Sequence, residues 1–283
     1  MRQLKKAYLE ITNVCNLHCS FCPGTRRPTG FLTPDNAQIL AARLRPHTGY
    51  LYLHLMGEPL VHPELGDILE RTGALGFRVM ITTNGTLLAE RGGLLCSSPA
   101  VEKVSISLHS FEGNGGADLE GYLKQCVRFA KEAAAAGKRC ALRLWNLDGD
   151  VPGANRQNGA ILSVLEAAFP PPWRVGRRGT TLAPNIFLEW GERFEWPDLS
   201  APEEDRPSFC YGLRDQVGVL WDGTVVPCCL DHEGDVPLGN LYFQNLEEIL
   251  DSPRARAIYD GFSRKKAREE LCRRCGYAAR FSV

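Results

Sequence analysis

No apolar run in this 283-residue chain approaches the roughly 20 residues needed to span a bilayer. Neither sign of charge is in excess: Lys plus Arg and Asp plus Glu each number 33. That balance argues against wholesale phosphate neutralisation, although a local basic patch survives it. No signal peptide is readable, because Met1-Arg2-Gln3-Leu4-Lys5-Lys6 leads directly to Tyr8 and Glu10. The expected location is therefore cytoplasmic. No internal repeat occurs.

Cysteine is what the chain has in quantity. It has eleven, within an ordinary balance of 44% hydrophobic and 23% charged residues. A secreted disulfide protein is usually shorter, and an odd count leaves one thiol unpaired. Clustered cysteines in an intracellular chain more often bind metal. Cys15, Cys19 and Cys22 crowd the start, and Cys210, Cys228, Cys229, Cys272 and Cys275 crowd the end. Cys96, Cys126 and Cys140 stand alone. Cys126 falls on an apolar helical face with Leu119, Leu123 and Ala130, so all three are expected to be structural.

The first 190 residues alternate short apolar segments with helical periodicity. Strands are predicted at 7–12, 50–56, 77–83, 104–109, 140–145 and 185–189, and helices near 34–45, 64–74, 86–95, 119–136 and 158–168. Thr33-Pro34 reads as an N-cap followed by proline at the first helical position, and Gly137 as a helix stop. Strand–helix alternation implies parallel strands with right-handed crossovers. The strands are apolar on one face only: Val104, Ile106 and Leu108 alternate with Ser105, Ser107 and His109, and Leu142 and Leu144 with Arg143 and Trp145. A doubly wound sheet is apolar on both faces. The expected class is therefore α/β, a partial (β/α)6 TIM-like barrel over 1–190 with a ligand-filled lumen. Residues 191–209, rich in Pro, Glu and Asp, read as a linker. Residues 210–283 form a small subdomain with a hairpin at 217–228, turning at Asp222-Gly223, and a helix near 245–260.

Cys15-x3-Cys19-x2-Cys22 follows the first strand. A structural zinc site wants four ligands, and only His18 is available to complete it. A four-iron cubane held by three thiolates leaves one iron open, which is the mark of chemistry. The segment Cys15-Asn16-Leu17-His18-Cys19-Ser20-Phe21-Cys22 resembles the signature of radical S-adenosylmethionine (SAM) enzymes. Met56-Gly57-Glu58-Pro59 after strand two resembles their G-E-P motif, and Ile81-Thr82-Thr83-Asn84-Gly85-Thr86 closing strand three is also typical. The resemblance implies that Cys15, Cys19 and Cys22 ligate a SAM-binding 4Fe-4S cluster. It implies Phe21 near the adenine, Gly57 and Glu58 at the methionine ammonium, and Asn84 among the cofactor-binding residues. Ser107 and Arg143 are lumen-facing candidates for the SAM carboxylate, and His54 and His109 face substrate or satisfy lumen groups.

Cys210, Cys228, Cys272 and Cys275 supply four thiolates, which suit zinc or a closed iron–sulfur cluster. Gly223-x4-Cys228 followed by a distant C-x2-C resembles the twitch subdomain, the reduced relative of the SPASM domain. The spacing is similar to that of the 2-deoxy-scyllo-inosamine dehydrogenases. This implies a second, auxiliary 4Fe-4S cluster, with Cys229 surplus. Asp231 is a candidate base, because SPASM relatives place an aspartate nearby. The implied activity is reductive SAM cleavage and hydrogen abstraction from a small-molecule or peptide substrate. A flavodoxin- or ferredoxin-type donor is implied, with no membrane and no expected nucleic acid. RNA modification, a non-catalytic electron carrier and a zinc-stapled binding protein are the alternatives. The basic stretch Arg264, Lys265, Lys266, Arg268, Arg273 and Arg274 reads as a solvated helix face.

Overall fold

The structure is a computed structural model and describes residues 2–114, 118–147, 156–176, 179–203 and 208–281. Among them the strands are β1 (Lys6–Leu9), β2 (Tyr50–Tyr52), β3 (Arg78–Thr83), β4 (Val101–Ser107), β5 (Arg139–Leu147), β6 (Arg174–Gly176), β7 (Gly179–Ala183), β8 (Ile186–Glu192), β9 (Gln216–Val219), β10 (Thr224–Val226) and β11 (Gly239–Asn240). The helices are α1 (Pro34–Leu44), α2 (Leu65–Ala74), α3 (Leu88–Ser97), α4 (Leu119–Ala135), α5 (Asn158–Ala168), α6 (Leu246–Leu250), α7 (Pro253–Ser263) and α8 (Glu270–Arg273).

All strands join one sheet in the order β11-β10-β9-β1-β2-β3-β4-β5-β8-β7-β6. Every pairing from β9 through β1, β2, β3, β4 and β5 to β8 is parallel. The six predicted barrel strands are thus present, as are their helices. The Thr33 hydroxyl accepts from the Asn36 N–H at the start of α1, and Gly137 takes φ +76° after α4. One face of the sheet packs on the helices: Leu51, Ile81, Val104, Ile106, Leu142 and Leu188 share a core with Leu40, Ile68, Leu123 and Phe129. Cys126 and Cys140 are buried in that core, and Cys96 packs against it. The opposite face, with Tyr52, His54, Ser107, Arg143 and Glu189, lines a lumen.

Several elements differ from expectation, among them the strand expected at 50–56, which ends at Tyr52. The β6–β7 hairpin was not predicted; its strands are short and β6 is fully exposed, so no alternation marks it. The helix expected near 245–260 is two helices, because Ser252 precedes Pro253 and adopts an extended conformation as the N-cap of α7. The strand expected at 7–12 ends at Leu9, since Glu10 to Asn13 serve the loop that follows. In the tail, Arg273 pairs with Glu203 at 3.0 Å and Arg274 with Glu270 at 2.8 Å, so these two face acids.

The hairpin β9–β10 forms as read, with Gly223 at φ +86° in its turn, and it also adds to the sheet edge. Ala7 pairs with Val217 and Leu9 with Val219, in parallel. The junction is fastened by a buried ion pair. Glu10, fully buried, accepts from Arg27 at 3.0 and 2.6 Å and from the Trp221 N–H at 3.2 Å. Arg27 also donates to the His232 carbonyl at 2.7 Å. Burial pushes the Glu10 carboxyl up, and Arg27 reverses this only in part. A buried carboxylate without its cation is strongly destabilising. Arg27→Met is therefore expected to cost roughly 3–5 kcal/mol in urea denaturation of the metal-free chain, and Glu10→Leu in the same chain should recover much of that loss.

Candidate functional site

The loop after β1 carries Cys15, Cys19 and Cys22, with Cys15 and Cys22 open to solvent. Its base rests on the loop after β2. Gly57 sits at φ +75°, and a Cβ there would lie 2.6 Å from the Thr12 carbonyl and 2.7 Å from that of Val14. Only glycine allows this approach. The Glu58 N–H then donates to the Val14 carbonyl at 2.8 Å.

The Glu58 side chain is placed differently from the expected ammonium contact. It is buried, and both oxygens accept from the protein: Leu60 N–H at 3.0 Å, Thr83 hydroxyl at 2.7 Å and Asn84 N–H at 2.6 Å. It braces the β2 loop against the end of β3. Asn84 continues the brace, donating to Asn16 at 2.9 Å and approaching the Cys15 sulfur at 3.9 Å. Burial pushes the Cys19 thiol up to about 12, and neighbouring Cys22 and Cys15 add to this. Burial raises all three thiols and neighbouring thiols raise Cys15 and Cys19 further, with no cation among the causes. A cationic iron cluster supplies one, so the donor set fits that group.

The C-terminal thiols converge from three elements. Cys210 precedes β9, Cys228 follows β10, and Cys272 lies in α8 with Cys275 just beyond. Burial pushes Cys228 far up, followed by the charges of Cys210, Cys229, Cys275 and Cys272. Cys229 instead faces Lys6 and the Tyr8 hydroxyl. Among the described residues no three His, Cys, Asp or Glu side chains are close enough to hold a single metal ion. Four thiolates from these three elements suit zinc or a closed iron–sulfur cluster. Asp231 is buried, accepting from the Asp235 and Val236 N–H groups at 2.8 and 3.0 Å, and burial pushes it up to about 6.

Phe21 of the first cysteine loop and the C-terminal thiols line one cavity of about 1130 Å3, which Cys15, Cys19 and Cys22 themselves do not line. Phe21, Ser107 and Arg143 line it from the barrel side, and Asp231 and the four C-terminal thiols from the other. Gly57, Glu58 and Asn84 are not among its lining residues. Arg143 donates to Glu189 at 3.0 Å and to Thr82 at 3.4 Å, and lies 4.7 Å from the Trp145 ring centroid. Lys103 reaches the same Glu189 at 2.5 Å. Burial would raise Glu189, but the two cations outweigh it and hold the carboxyl below its ordinary value. Burial keeps His54 and His109 neutral, at about 3 and about 4.

Arg193, Phe194, Trp196 and Pro197 of the expected linker line the cavity, and its residues 204–207 lie outside the described residues. Trp196 donates from its indole N–H to the Phe21 carbonyl at 3.0 Å and meets His232 edge-on at 5.4 Å. Phe194 packs on Tyr277 at 4.9 Å. The signal for them was two aromatics in an otherwise acidic, proline-rich segment.

A family model described as the radical SAM superfamily matches residues 9–151, and a SPASM model described as an iron–sulfur cluster-binding domain matches 210–276. A GTP 3′,8-cyclase of Synechococcus sp. (strain CC9605) is 33% identical over 125 residues, covering 40% of this chain and 36% of its own. A probable GTP 3′,8-cyclase of Methanothermobacter marburgensis is 32% identical over 179 residues, 58% of each chain. The chain therefore covers less than two thirds of either relative's length. Among solved structures, BtrN in complex with AdoMet and 2-DOIA superposes with a TM-score of 0.57 at 17% identity, covering 97% of this chain and 94% of that one. Native anSMEcpe with bound AdoMet gives 0.63 at 13% identity, covering 89% and 81%. At such identities the likeness is one of fold.

Burial holds Glu58 at about 7, above its ordinary 4.5, and Asp231 at about 6, above its ordinary 3.8. Across those windows the folded chain binds more protons than the unfolded chain, so their contribution to stability falls as pH rises. Urea denaturation of the metal-free chain between pH 4.5 and 7 should show a shallower fall in Glu58→Gln than in wild type. Asp231→Asn should flatten the range up to about pH 6.

Proposed function

This chain belongs to the radical SAM superfamily, and from that premise we propose that it oxidises a small substrate by hydrogen-atom removal between two iron–sulfur clusters. Membership brings a 4Fe-4S cluster with SAM, and the SPASM region brings further iron–sulfur. When bound, the first cluster would supply one electron to the SAM sulfonium, whose C5′–S bond breaks to give methionine and a 5′-deoxyadenosyl radical. A low-potential donor of the flavodoxin or ferredoxin class is needed to provide that electron.

The observation that carries the reading is the shared cavity. It is lined by Phe21 of the first cysteine loop and by the four C-terminal thiols, and its volume of about 1130 Å3 exceeds the roughly 300–1,000 Å3 of a single-ligand pocket. SAM and a small substrate fit together. In this reading residues 1–190 form the SAM-cleaving part and 210–283 the part that takes the substrate's electron, joined through 191–209. Cys15, Cys19 and Cys22 hold the first cluster. Phe21 packs on the adenine. Gly57 offers backbone to the methionine ammonium, with Glu58 and Asn84 fixing that backbone. Arg143 and Ser107 take the carboxylate, since an arginine fork suits it.

A substrate that has lost a hydrogen atom must lose an electron and a proton to become closed-shell. Cys210, Cys228, Cys272 and Cys275 hold the electron acceptor. Asp231 receives the proton, and a carboxylate near pKa 6 suits a general base at neutral pH. Trp196 and Phe194 shield the cavity from water beside Phe21. An electron carrier has no use for such a lumen.

Anaerobic reconstitution should load about eight irons per chain, and reductant with SAM should yield 5′-deoxyadenosine. Replacing Cys15, Cys19 or Cys22 by Ala should abolish that product and leave about four irons. Cleavage retained in any of these variants sinks the assignment. Cys272→Ala should instead keep 5′-deoxyadenosine formation while losing about four irons. Arg143→Lys should weaken SAM binding about ten- to a hundredfold at unchanged iron content. Normal SAM affinity in that variant would move Arg143 to the substrate.

A further inference from the structure

The cations of the lumen outnumber the acids that face them. Lys103 and Arg143 share Glu189. At the strand starts, Lys5 pairs with Asp215 at 2.6 Å, and Arg139 lies 3.9 Å from Glu102. On the far side, Asp231 is held by backbone N–H groups. Lys6, at the start of β1, is left over. Among the described residues it forms no ion pair; its ammonium donates to the Tyr8 hydroxyl at 2.8 Å. It stands 5.0 Å from the ring centroids of both Tyr8 and Tyr52.

Those ring faces compensate the charge in part. Burial nevertheless pushes Lys6 below its ordinary pKa, and Arg143 adds repulsion. A half-buried ammonium with aromatic walls and a hydroxyl partner, which the Cys229 thiol and Asp215 offset only in part and without an ion pair among the described residues, is complementary to an anion. SAM does not meet that need in the proposed arrangement, because its carboxylate belongs to Arg143.

We infer that the substrate carries an oxyanion, a carboxylate or a phosphate, that docks against Lys6 on the floor made by Tyr8 and Tyr52. This rests on the radical reading of the cavity. Cys229, hydrogen-bonded to Tyr8, joins that floor to the auxiliary thiols. A molecule anchored at Lys6 therefore reaches from the barrel floor toward Asp231. The anchored end is the oxyanion, and the end to be oxidised points away from it.

The test uses reconstituted, SAM-loaded protein titrated calorimetrically with inorganic phosphate and, separately, with acetate. Wild type is expected to bind at least one, and Lys6→Met to bind it about tenfold or more weaker, with Lys6→Arg restoring affinity. Phosphate alone assigns a phosphorylated substrate, acetate alone a carboxylate, and either supports the proposal. Binding of neither by wild type overturns it, as does equal affinity in Lys6→Met with full iron content. A second readout needs no variant: the bound anion should slow reductive methylation of Lys6, followed by mass spectrometry. Unchanged labelling overturns the proposal. Anion binding is read independently of SAM cleavage, so absence of 5′-deoxyadenosine from the same wild-type preparation marks failure of the radical reading instead.

Discussion

The arrangement of the site hangs on Glu10 and Arg27. Glu10 follows β1, Arg27 belongs to the loop just beyond the first three cysteines, and of their partners Trp221 sits in the turn of the C-terminal hairpin and His232 beyond it. Three chain regions thus meet at one buried charge pair. Around it the loop folds back tightly: Asn13 donates to the Pro28 carbonyl at 2.9 Å, and Gly30 lies so close to Trp221 that a Cβ would meet the ring at 2.7 Å. A buried pair is costly to desolvate and is retained only with near-complete hydrogen bonding, which this one has. Its effect is positional. It holds the first cysteine loop and the auxiliary hairpin in one fixed relation.

The lumen works on the opposite principle. At the Glu10 junction charge is satisfied internally; inside the barrel it is left in surplus. Lys103 and Arg143 share one carboxylate, and Lys6 has only aromatic rings and a hydroxyl. Glu58 contrasts with both, because its carboxylate is saturated by three donors and stiffens the loop it sits on. The loop after β2 is therefore rigid, while the cavity floor is cationic.

Much of this was legible in the residues. Strand alternation placed Ser107, Arg143 and Trp145 on the lumen face, and cysteine spacing marked both thiol sets. Side-chain direction beyond the strand ends was not legible. Glu58 lies on a loop, where periodicity says nothing, and it turns inward to donors on β3 that are 25 and 26 residues away. Phe194 and Trp196 were hidden because acidic and proline-rich composition reads as solvent-facing, while their docking depends on Phe21 and His232 far along the chain. The choice between Cys228 and Cys229 also needed three dimensions. The two lie on the bend and turn after β10, which direct Cys228 toward the other thiols and Cys229 toward Lys6 and Tyr8.

The parallel pairing of β9 with β1 has a consequence for how the molecule is made. Lys6 emerges first and its ladder partner is Gln216, so one edge of β1 stays unpaired until most of the chain exists. Parallel ladders closed over so long a separation form slowly, and an unpaired apolar edge invites association with other chains. The two cysteine loops hang on either side of this ladder, so their mutual placement is among the last things folding decides. Metal offered too early would meet the first three thiols without their hairpin neighbour. Recovery of correctly loaded protein should therefore depend on the timing of iron delivery as much as on its amount.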